Sequence, residues 1–491
     1  MMRRAIHEWW LLLFILGAAA IAGAVGAQTR AGGPSRADRS KPPALGPAPK
    51  LNLPAIEKRA LSNGLPVWIV EAHEVPLVQV NLLVLAGAND DPADKFGVAS
   101  MTSSMLDEGA GERNALQIAD AVDYLGADLE TTSSFDTSAV RLNVPVAQLA
   151  EALPIMADVA LRPTFPQSEL DRLRQEQITS LLQSRDDPAA VIPQAFARLV
   201  FGKTHRYGTG GIGTITTLKA FTTADLHAFH AAMYQPSNAT LIVSGDVTSA
   251  SILPQLEKAF GGWTGKGPVT RTPVPTASQL TAREVDIVDL PGAAQSQIRI
   301  GWVGVSRATP DYFTLQVLNT ILGGSFTSRL NQNLREKNQY TYGASSRFDM
   351  RLSPASFASG AGVQTDKTSE ALKEFFKELN DIGKPVGAEE LTKAKNYITL
   401  SFPSEFESIG DLSEHLEEMV VYKLPDDYFN RYASNVQAVT SDAVAKAAAR
   451  YIQPQKFAVV VVGDRKVIEP GIRTLNLGPV KTMSVVELLG P

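Results

Sequence analysis

Cysteine is entirely absent from the 491-residue sequence. This absence excludes disulfide bonds, cysteine-ligated zinc sites and thiol nucleophiles. A basic stripe with interleaved aromatics is also missing and the formal net charge is −5, which argues against nucleic acid as a partner. Neither a glycine-rich phosphate loop nor a βαβαβ alternation is found, which argues against a Rossmann-type nucleotide-binding fold. The remaining composition, 44% hydrophobic and 20% charged, is that of ordinary globular domains.

The N-terminal residues have the composition of an export signal. A positively charged start, MMRRAIHE, precedes the apolar run WWLLLFILGAAAIAGAVG, and the small residues Val25, Gly26 and Ala27 form a cleavage site. We therefore predict a cleaved signal peptide at residues 1–27 and a periplasmic location. An uncleaved membrane anchor is the alternative, because the apolar run is long enough to span a bilayer. Residues 28–50, rich in Pro, Gly, Ala and charge without periodicity, predict a disordered tether.

The chain contains an internal repeat. FTTADLHAFHAAMYQPSNATLIVSGDV at residues 221–247 aligns without a gap with VTSDAVAKAAARYIQPQKFAVVVVGDR at residues 439–465, an offset of 218 positions. Each copy reads as a Thr-initiated helix, a Gln-Pro turn and a buried strand that ends at Gly-Asp. The same offset pairs the alternating strands VQVNLLV and SQIRIGW. The sequence therefore predicts a tandem duplication.

This duplication sets the predicted domain boundaries. The first domain spans residues 51–262, a Pro/Thr-rich linker spans residues 263–283, and the second domain spans residues 284–489. Within each copy, strands and helices come in groups and do not alternate singly. Such grouping predicts an α+β fold, in which each domain is a mostly antiparallel or mixed sheet covered by helices.

Three serines share one face of a predicted helix in the first domain. The segment DPADKFGVASMTSSMLDEG predicts a helix that begins at Pro92 and ends at Gly109. Ser100, Ser103 and Ser104 fall on one face because they are spaced i, i+3 and i+4. From the residues alone, this face either brings polar groups to one point or lets a neighbouring element pack closely against small side chains.

Both predicted domains resemble those of the zinc peptidases that include pitrilysin, insulin-degrading enzyme and mitochondrial processing peptidase. LSNGLPVWIVE at residues 61–71 looks like the entry hairpin of that family, and the serine helix takes the place of the helix that reads His-x-x-Glu-His in active members. The resemblance implies that Ser100 and Ser104 replace the two histidine ligands and that Ser103 replaces the glutamate base. A neutral hydroxyl is a poor zinc ligand and cannot act as a carboxylate base. The third ligand would fall at residues 179–183, where no acid is present, so the resemblance implies no metal and no cofactor in this chain.

A second family feature lies in the second domain, in GGSFTSRLNQNLREKNQYTYGASSRF. Arg335 in LREK and Tyr342, seven residues later, match an arginine and a tyrosine that in the family reach the substrate from the second domain or from a separate non-catalytic subunit. Arginine can bind peptide carbonyls or a carboxylate, and a tyrosine hydroxyl can donate to a developing oxyanion. Tyr340 is the alternative tyrosine. Gly323 and Gly324 stand where related subunits carry a flexible, substrate-binding glycine-rich loop, although two glycines equally suit a helix C-terminus.

Two histidine clusters are not predicted to bind metal. His227 and His230 lie on a helix whose repeat partner has no histidine, which favours a structural role. His415 begins HLEEM, where a methionine occupies the position at which a second histidine would be required. The neighbouring Glu417 and Glu418 are predicted to be solvated surface charges.

The resemblance implies an exported, non-catalytic subunit of a heterodimeric zinc metallopeptidase that degrades short or unfolded peptides. A homologous partner with an intact His-x-x-Glu-His would hold the zinc. This chain, inactive by itself and closing on the partner like half of a clamshell, would supply Arg335 and Tyr342. In active members the edge strand that matches residues 128–133 binds peptide by backbone hydrogen bonds. Two alternatives stay open: a catalytically inactive peptide-binding or structural homodimer, and an independent hydrolase with a displaced metal site.

Overall fold

A computed structural model describes residues 46, 51, 53–265, 267–271 and 273–490. The predicted signal peptide, residues 1–27, and the predicted tether, residues 28–50, lie outside the described residues apart from Gly46. Every helix within the described ranges is too short or too polar to cross a membrane.

A mixed six-stranded sheet occupies the first half of the chain. Its strands are β1 (Glu57–Ala60), β2 (Pro66–Glu71), β3 (Leu77–Val84), β6 (Asp128–Ser133), β7 (Ser138–Pro145) and β8 (Ala239–Gly245). Strands β4 (Gly109–Ala110) and β5 (Arg113–Asn114) form a separate two-stranded ribbon. The spatial order is β1-β2-β8-β3-β7-β6. Only β2 and β8 run parallel in this sheet. Strand β6 therefore leaves one edge open.

A second six-stranded sheet follows in the other half. Its strands are β9 (Glu284–Asp289), β10 (Gln295–Val303), β11 (Thr341–Met350), β12 (Pro354–Gln364), β13 (Ala458–Gly463) and β14 (Val480–Ser484). The spatial order is β11-β12-β10-β13-β9-β14. Strand β9 runs parallel to both of its neighbours, and the remaining pairs are antiparallel. Strand β11 is the open edge that corresponds to β6.

Helices cover both sheets. Those of the first half are α1 (Val98–Ser104), α2 (Ala115–Tyr124), α3 (Leu149–Leu161), α4 (Gln167–Gln183), α5 (Pro188–Phe201), α6 (Ile215–Ala220), α7 (Thr223–Met233) and α8 (Ser249–Phe260). Those of the second half are α9 (Tyr312–Leu322), α10 (Arg329–Asn331) with its π-helical continuation Gln332–Lys337, α11 (Thr368–Asp381), α12 (Ala388–Ser401), α13 (Ile409–Tyr422), α14 (Tyr428–Gln437), α15 (Ser441–Tyr451), α16 (Arg465–Thr474) and α17 (Val485–Leu489).

The two halves are copies of one unit. Helices α7 and α15 begin and end exactly 218 positions apart, and β8 and β13 end at Gly245 and Gly463, which are also 218 positions apart. Five strands correspond in order between the sheets. The sixth differs, because β1 is antiparallel to β2 whereas β14 comes from the C-terminal end and is parallel to β9. The predicted α+β fold with a tandem duplication is confirmed.

Each sheet packs one face against helices of its own half. In the first half this core includes Leu82, Met101 and Phe260, and in the second it includes Phe357 and Phe375, all fully buried. Burial of this kind is the main source of folding free energy, at about 25 cal/mol per Å² of apolar surface removed from water.

The opposite face of each sheet is covered by a helix from the other half. Helix α13 packs Leu416 and Met419 onto the first sheet. Helix α5 packs Val191 and Phe196 onto the second sheet. Cross-covering of this kind makes the two halves interdependent.

A buried polar network lies beside helix α13. Glu417 accepts hydrogen bonds from Arg141 at 2.7 Å and from Asn81 at 2.7 Å, and both partners belong to the first sheet. Because Glu417 is buried, its prediction as a solvated charge is wrong. The correct assignment is an ion pair between the two halves.

Candidate functional site

Helix α1, which carries the three serines, begins at Val98 and not at Pro92 as predicted. The backbone N–H groups of Gly97 and Ala99 donate to the Asp91 carboxylate at 2.6 and 2.9 Å. A carboxylate that accepts hydrogen bonds from the free N–H groups of the first turn fixes where a helix starts. Asp91 accepts these bonds although residues 92–96 separate it from the helix. Burial raises the pKa of Asp91 to about 7, although the two backbone hydrogen bonds act in the opposite direction.

The three serines lie on one short helix and differ in their exposure. Helix α1 ends at Ser104, and its predicted end, Gly109, lies in β4 because that residue pairs with β5. Ser103 is buried and its hydroxyl has no hydrogen-bond partner among the described residues. Ser100 and Ser104 are half-buried. Helix α1 packs against α7 and the edge strand β6.

Helix α4 offers no third ligand. The hydroxyl of Thr179 donates to the carbonyl of Gln175 at 2.8 Å. Glu176, the nearest acid, pairs with Arg172 at 3.1 Å, and the same arginine binds Glu108 at 2.6 Å. Within the part of the chain that the structure describes, no three His, Asp or Glu side chains are grouped so that they could hold a metal ion. The zinc ion of active family members therefore does not fit these residues.

The histidine pair on α7 is engaged in packing. The rings of His227 and His230 meet the ring of Phe165 at centre distances of 4.9 and 6.0 Å. Nε2 of His230 lies 2.9 Å from the carbonyl oxygen of Ala160. Burial lowers the pKa of His230, so the neutral ring is favoured. Both side chains are structural.

Arg335 and Tyr342 line the same cavity, here called the main cavity, with a volume of about 1140 Å³. Tyr342 lies on the edge strand β11 and is 88% exposed. Arg335 lies in the π-helical segment, with its guanidinium carbon 4.4 Å from the ring centre of Phe326. Turns of this kind occur frequently at functional sites. Tyr340, the alternative tyrosine, is half-buried and packs against the core.

Asn331 joins the helix of Arg335 to the strand of Tyr342. Its side-chain N–H donates to the carbonyl of Phe326 at 2.6 Å, and its side-chain oxygen accepts from the backbone N–H of Ala344 at 3.2 Å. The residue is buried, so these bonds are shielded from water. These hydrogen bonds hold the backbone segments of Arg335 and Tyr342 in a defined position relative to each other.

The glycine pair forms part of the cavity wall. Gly323 ends helix α9, and its N–H donates to the carbonyl of Asn319 at 2.8 Å. A Cβ at Gly323 would lie 2.3 Å from the backbone nitrogen of Ser346, and a Cβ at Gly324 would lie 2.6 Å from Nδ2 of Asn319. Gly323 therefore allows a close approach of α9 to β11, and Gly324 lets the chain turn closely against the last turn of α9. Gly323 ends a packed helix, and the role of the two glycines in binding substrate stays a prediction.

The deep wall of the main cavity contains residues that sequence reasoning missed. The Arg307 guanidinium donates to Glu418 at 3.0 Å and to the Tyr428 hydroxyl at 2.7 Å, and it stacks 3.6 Å from the ring centre of Tyr312. Burial acts to raise the pKa of Glu418, but hydrogen bonding to His415 and the charge of Arg307 hold it below its ordinary value. The prediction of Glu418 as a solvated charge is therefore wrong.

Two family models match the chain. Residues 67–204 match the insulinase model of peptidase family M16, and residues 220–398 match the model described as the peptidase M16 inactive domain. A zinc protease of Streptomyces coelicolor is 24% identical over 84% of this chain and 90% of its own length.

Solved structures agree with these matches. The peptidase M16 inactive domain from Pseudomonas fluorescens is 25% identical, with a TM-score of 0.77 over 83% of this chain and 98% of its own. The periplasmic protease PqqL from Escherichia coli shares the fold at 18% identity, with a TM-score of 0.71 over 89% of this chain and 52% of its own. The chain, with its duplicated α+β unit, belongs to peptidase family M16.

Proposed function

We propose that this chain is the non-catalytic subunit of a heterodimeric zinc metallopeptidase that degrades short or unfolded peptides. A homologous partner with an intact His-x-x-Glu-His helix binds the zinc ion and activates water. This chain contributes Arg335 and Tyr342 to that site. The observation that carries the proposal is that both residues line one cavity of about 1140 Å³ in a chain whose own metal helix holds serines.

The chemistry of the pair suits a peptide substrate. Arg335 is 3.4 Å from Glu336 in a partly exposed ion pair, which is worth little in water and leaves the guanidinium available to peptide carbonyls. The exposed Tyr342 hydroxyl can donate to an oxyanion that develops on the scissile carbonyl. Strand β11 is an open edge to which an extended peptide can add by backbone hydrogen bonds, which favours unfolded substrates over folded ones.

We further propose that the complex works in the periplasm, reached through a signal peptide at residues 1–27. The basic start, apolar run and small-residue cleavage site of the N-terminus support this location. The similar fold of a protein described as a periplasmic protease is compatible with it.

The proposal is tested by co-purification followed by reconstitution. The tagged chain should bring down a homologous chain that bears His-x-x-Glu-His in near-equal amount. The recombined pair should cleave an unfolded reporter peptide that neither chain cleaves alone. Recovery of the chain alone or paired with itself would instead support the inactive peptide-binding or structural homodimer.

A further inference from the structure

A second cleft lies on the face of the second sheet that helix α5 partly covers. It has a volume of about 590 Å³ and is lined mainly by β10, β11 and β12, and we call it the arginine cleft. It adjoins a smaller space of about 250 Å³, the aromatic pocket, which is lined in part by Phe135, Phe196, Phe201 and Tyr207. The two spaces are continuous, because Arg299 contributes to both.

Arg299 is a half-buried cation without a protein anion. Among the described residues its guanidinium makes no hydrogen bond and no ion pair, and the guanidinium carbon lies 5.9 Å from the ring centre of Phe196. Burial lowers the pKa of the Arg299 guanidinium. Removing a cation from water without a partner is costly, so an anion that enters the cleft gains an interaction that the protein itself does not satisfy.

Two more arginines face the same space. Arg351 binds Asp349 through Nη2, but its Nη1 is buried and has no hydrogen-bond partner in the described ranges. Arg347 is exposed and pairs with no acid in the described part of the chain. The cleft therefore sets three guanidinium groups against the single carboxylate of Asp349. An anion fits this balance of charge.

The shape of the cleft indicates the kind of anion. Small residues such as Ser345, Ala358 and Gly360 leave the face of the sheet open, so an extended chain can lie against it. The aromatic pocket is smaller than the roughly 300–1,000 Å³ of ordinary small-molecule sites, so it suits one apolar side chain and not a whole ligand. Gly343 and Arg347 line both this cleft and the main cavity, which joins the two spaces along β11.

We infer that the arginine cleft binds the C-terminal residue of a peptide, with its free carboxylate at Arg299 and Arg351 and its apolar side chain in the aromatic pocket. The inference rests on the proposed function only in taking peptides as ligands. It adds a preference for peptides that end in an apolar residue, because a carboxylate and an apolar side chain on the same carbon match the adjacent charges and rings.

The test is calorimetric titration of the purified full chain, without a partner, with short Gly/Ser peptides that end in phenylalanine. The free acid should bind at least about ten-fold more tightly than the C-terminal amide, since a charge-assisted hydrogen bond is worth about 1.5–3 kcal/mol. Arg299→Gln should weaken binding of the acid by a similar factor and remove the difference between acid and amide. Arg283→Gln is the matched control, because Arg283 also lies over a phenylalanine ring at 4.5 Å and has a pKa lowered by burial, yet it lines neither space.

Equal binding of the acid and the amide would overturn the inference. Equal binding of peptides that end in phenylalanine and glycine, with displacement by inorganic phosphate alone, would show a general anion site and would also overturn it. Because the partner is absent from the titration, either result leaves the two-chain proposal standing. Conversely, failure to find a partner does not affect this measurement.

Discussion

Tyr342 presents a phenolic hydroxyl on an edge strand, and no other described residue satisfies it. Exposure alone does not mark a function, because Tyr124 is 87% exposed as well. What distinguishes Tyr342 is that it lines the main cavity together with Arg335, where the proposed function assigns its hydroxyl to a substrate carbonyl. The residue is therefore the most direct point at which to test shared catalysis.

We expect Tyr342→Phe to lower kcat of the reconstituted two-chain peptidase by about 100-fold, the usual cost of losing one oxyanion donor, with KM little changed. Arg335→Ala should raise KM as well, because it removes a substrate contact. Steady-state kinetics on a reporter peptide check both values. Tyr124→Phe is the control, since Tyr124 is 87% exposed and lies outside the main cavity. Full activity in Tyr342→Phe would remove the residue from the mechanism.

Asp91 makes the stability of the chain depend on pH. Its pKa is about 7 in the folded state and 3.8 for an ordinary aspartate, because burial disfavours the charged form. Between these values the folded state keeps a proton that the unfolded chain has released. The contribution of Asp91 to stability is therefore fully present below about pH 4 and is lost as the pH rises through about 7.

We expect the difference in free energy of unfolding between wild type and Asp91→Asn to fall from pH 4 to pH 7.5, by at most about 4 kcal/mol. The amide does not titrate, so it serves as the reference at every pH. Urea unfolding across this range measures the difference. Asp94→Asn, a change at an exposed aspartate on the same loop, controls for net charge. A difference that stays constant with pH would contradict the assignment.

The family resemblance singled out Arg335 and Tyr342, and the structure places both on the wall of the main cavity, while their roles stay a prediction. Glu417 and Glu418 were misjudged because their cationic partners, Arg141 and Arg307, lie 276 and 111 residues away. No local pattern reveals contacts over such separations.

At the scale of elements, helix α13 belongs to the second half of the chain and packs on the first. It sets Leu416 and Met419 on the first sheet, and it buries Glu417 against Arg141. A buried ion pair adds little net stability by itself, but losing one member leaves the other charge unsatisfied. The side chains of Arg141 and Glu417 are 22% and 11% exposed, so water cannot fully compensate.

We expect Glu417→Gln to lower the free energy of unfolding by about 3 kcal/mol, because Arg141 is then left facing a neutral amide. Adding Arg141→Met should restore at least half of that loss by removing the stranded charge. Asp427→Asn, which breaks the exposed pair with Arg431, should cost less than about 1 kcal/mol. Equal losses in the single and the double variant would show that the pair is not the source of the effect.

Sequence patterns located elements well where the signal was local. Strand β6 runs from Asp128 to Ser133, the residues predicted to form the edge strand. The internal repeat predicted helices α7 and α15 at the observed offset of 218 positions. The predicted start of helix α1 was wrong, because the carboxylate that accepts from its first turn, Asp91, is separated from that turn by a loop. Only the folded chain brings the two together. The order of strands within each sheet depends on long-range pairing that periodicity does not reveal, and the sequence predicted only a mostly antiparallel or mixed sheet.

At the scale of the whole molecule, the absence of ligands on α1 and α4 leads to a prediction about metal content. We expect the purified chain to contain less than about one zinc ion per ten molecules and to show no peptidase activity, because serine and threonine hydroxyls do not hold zinc. Elemental analysis by mass spectrometry after exhaustive dialysis gives the ratio. One zinc per chain would favour the independent hydrolase with a displaced metal site.

The crossed helices α5 and α13 also make each half depend on the other for its solubility. Without α5, the second sheet would expose Val288, Val460 and Val462, and without α13 the first would expose Leu83 and Ile242. A single unduplicated copy would carry that bare apolar face in water and would be insoluble as a monomer. Each half expressed alone is therefore expected to aggregate or to associate with a second copy of itself, whereas the whole chain covers both faces within one molecule.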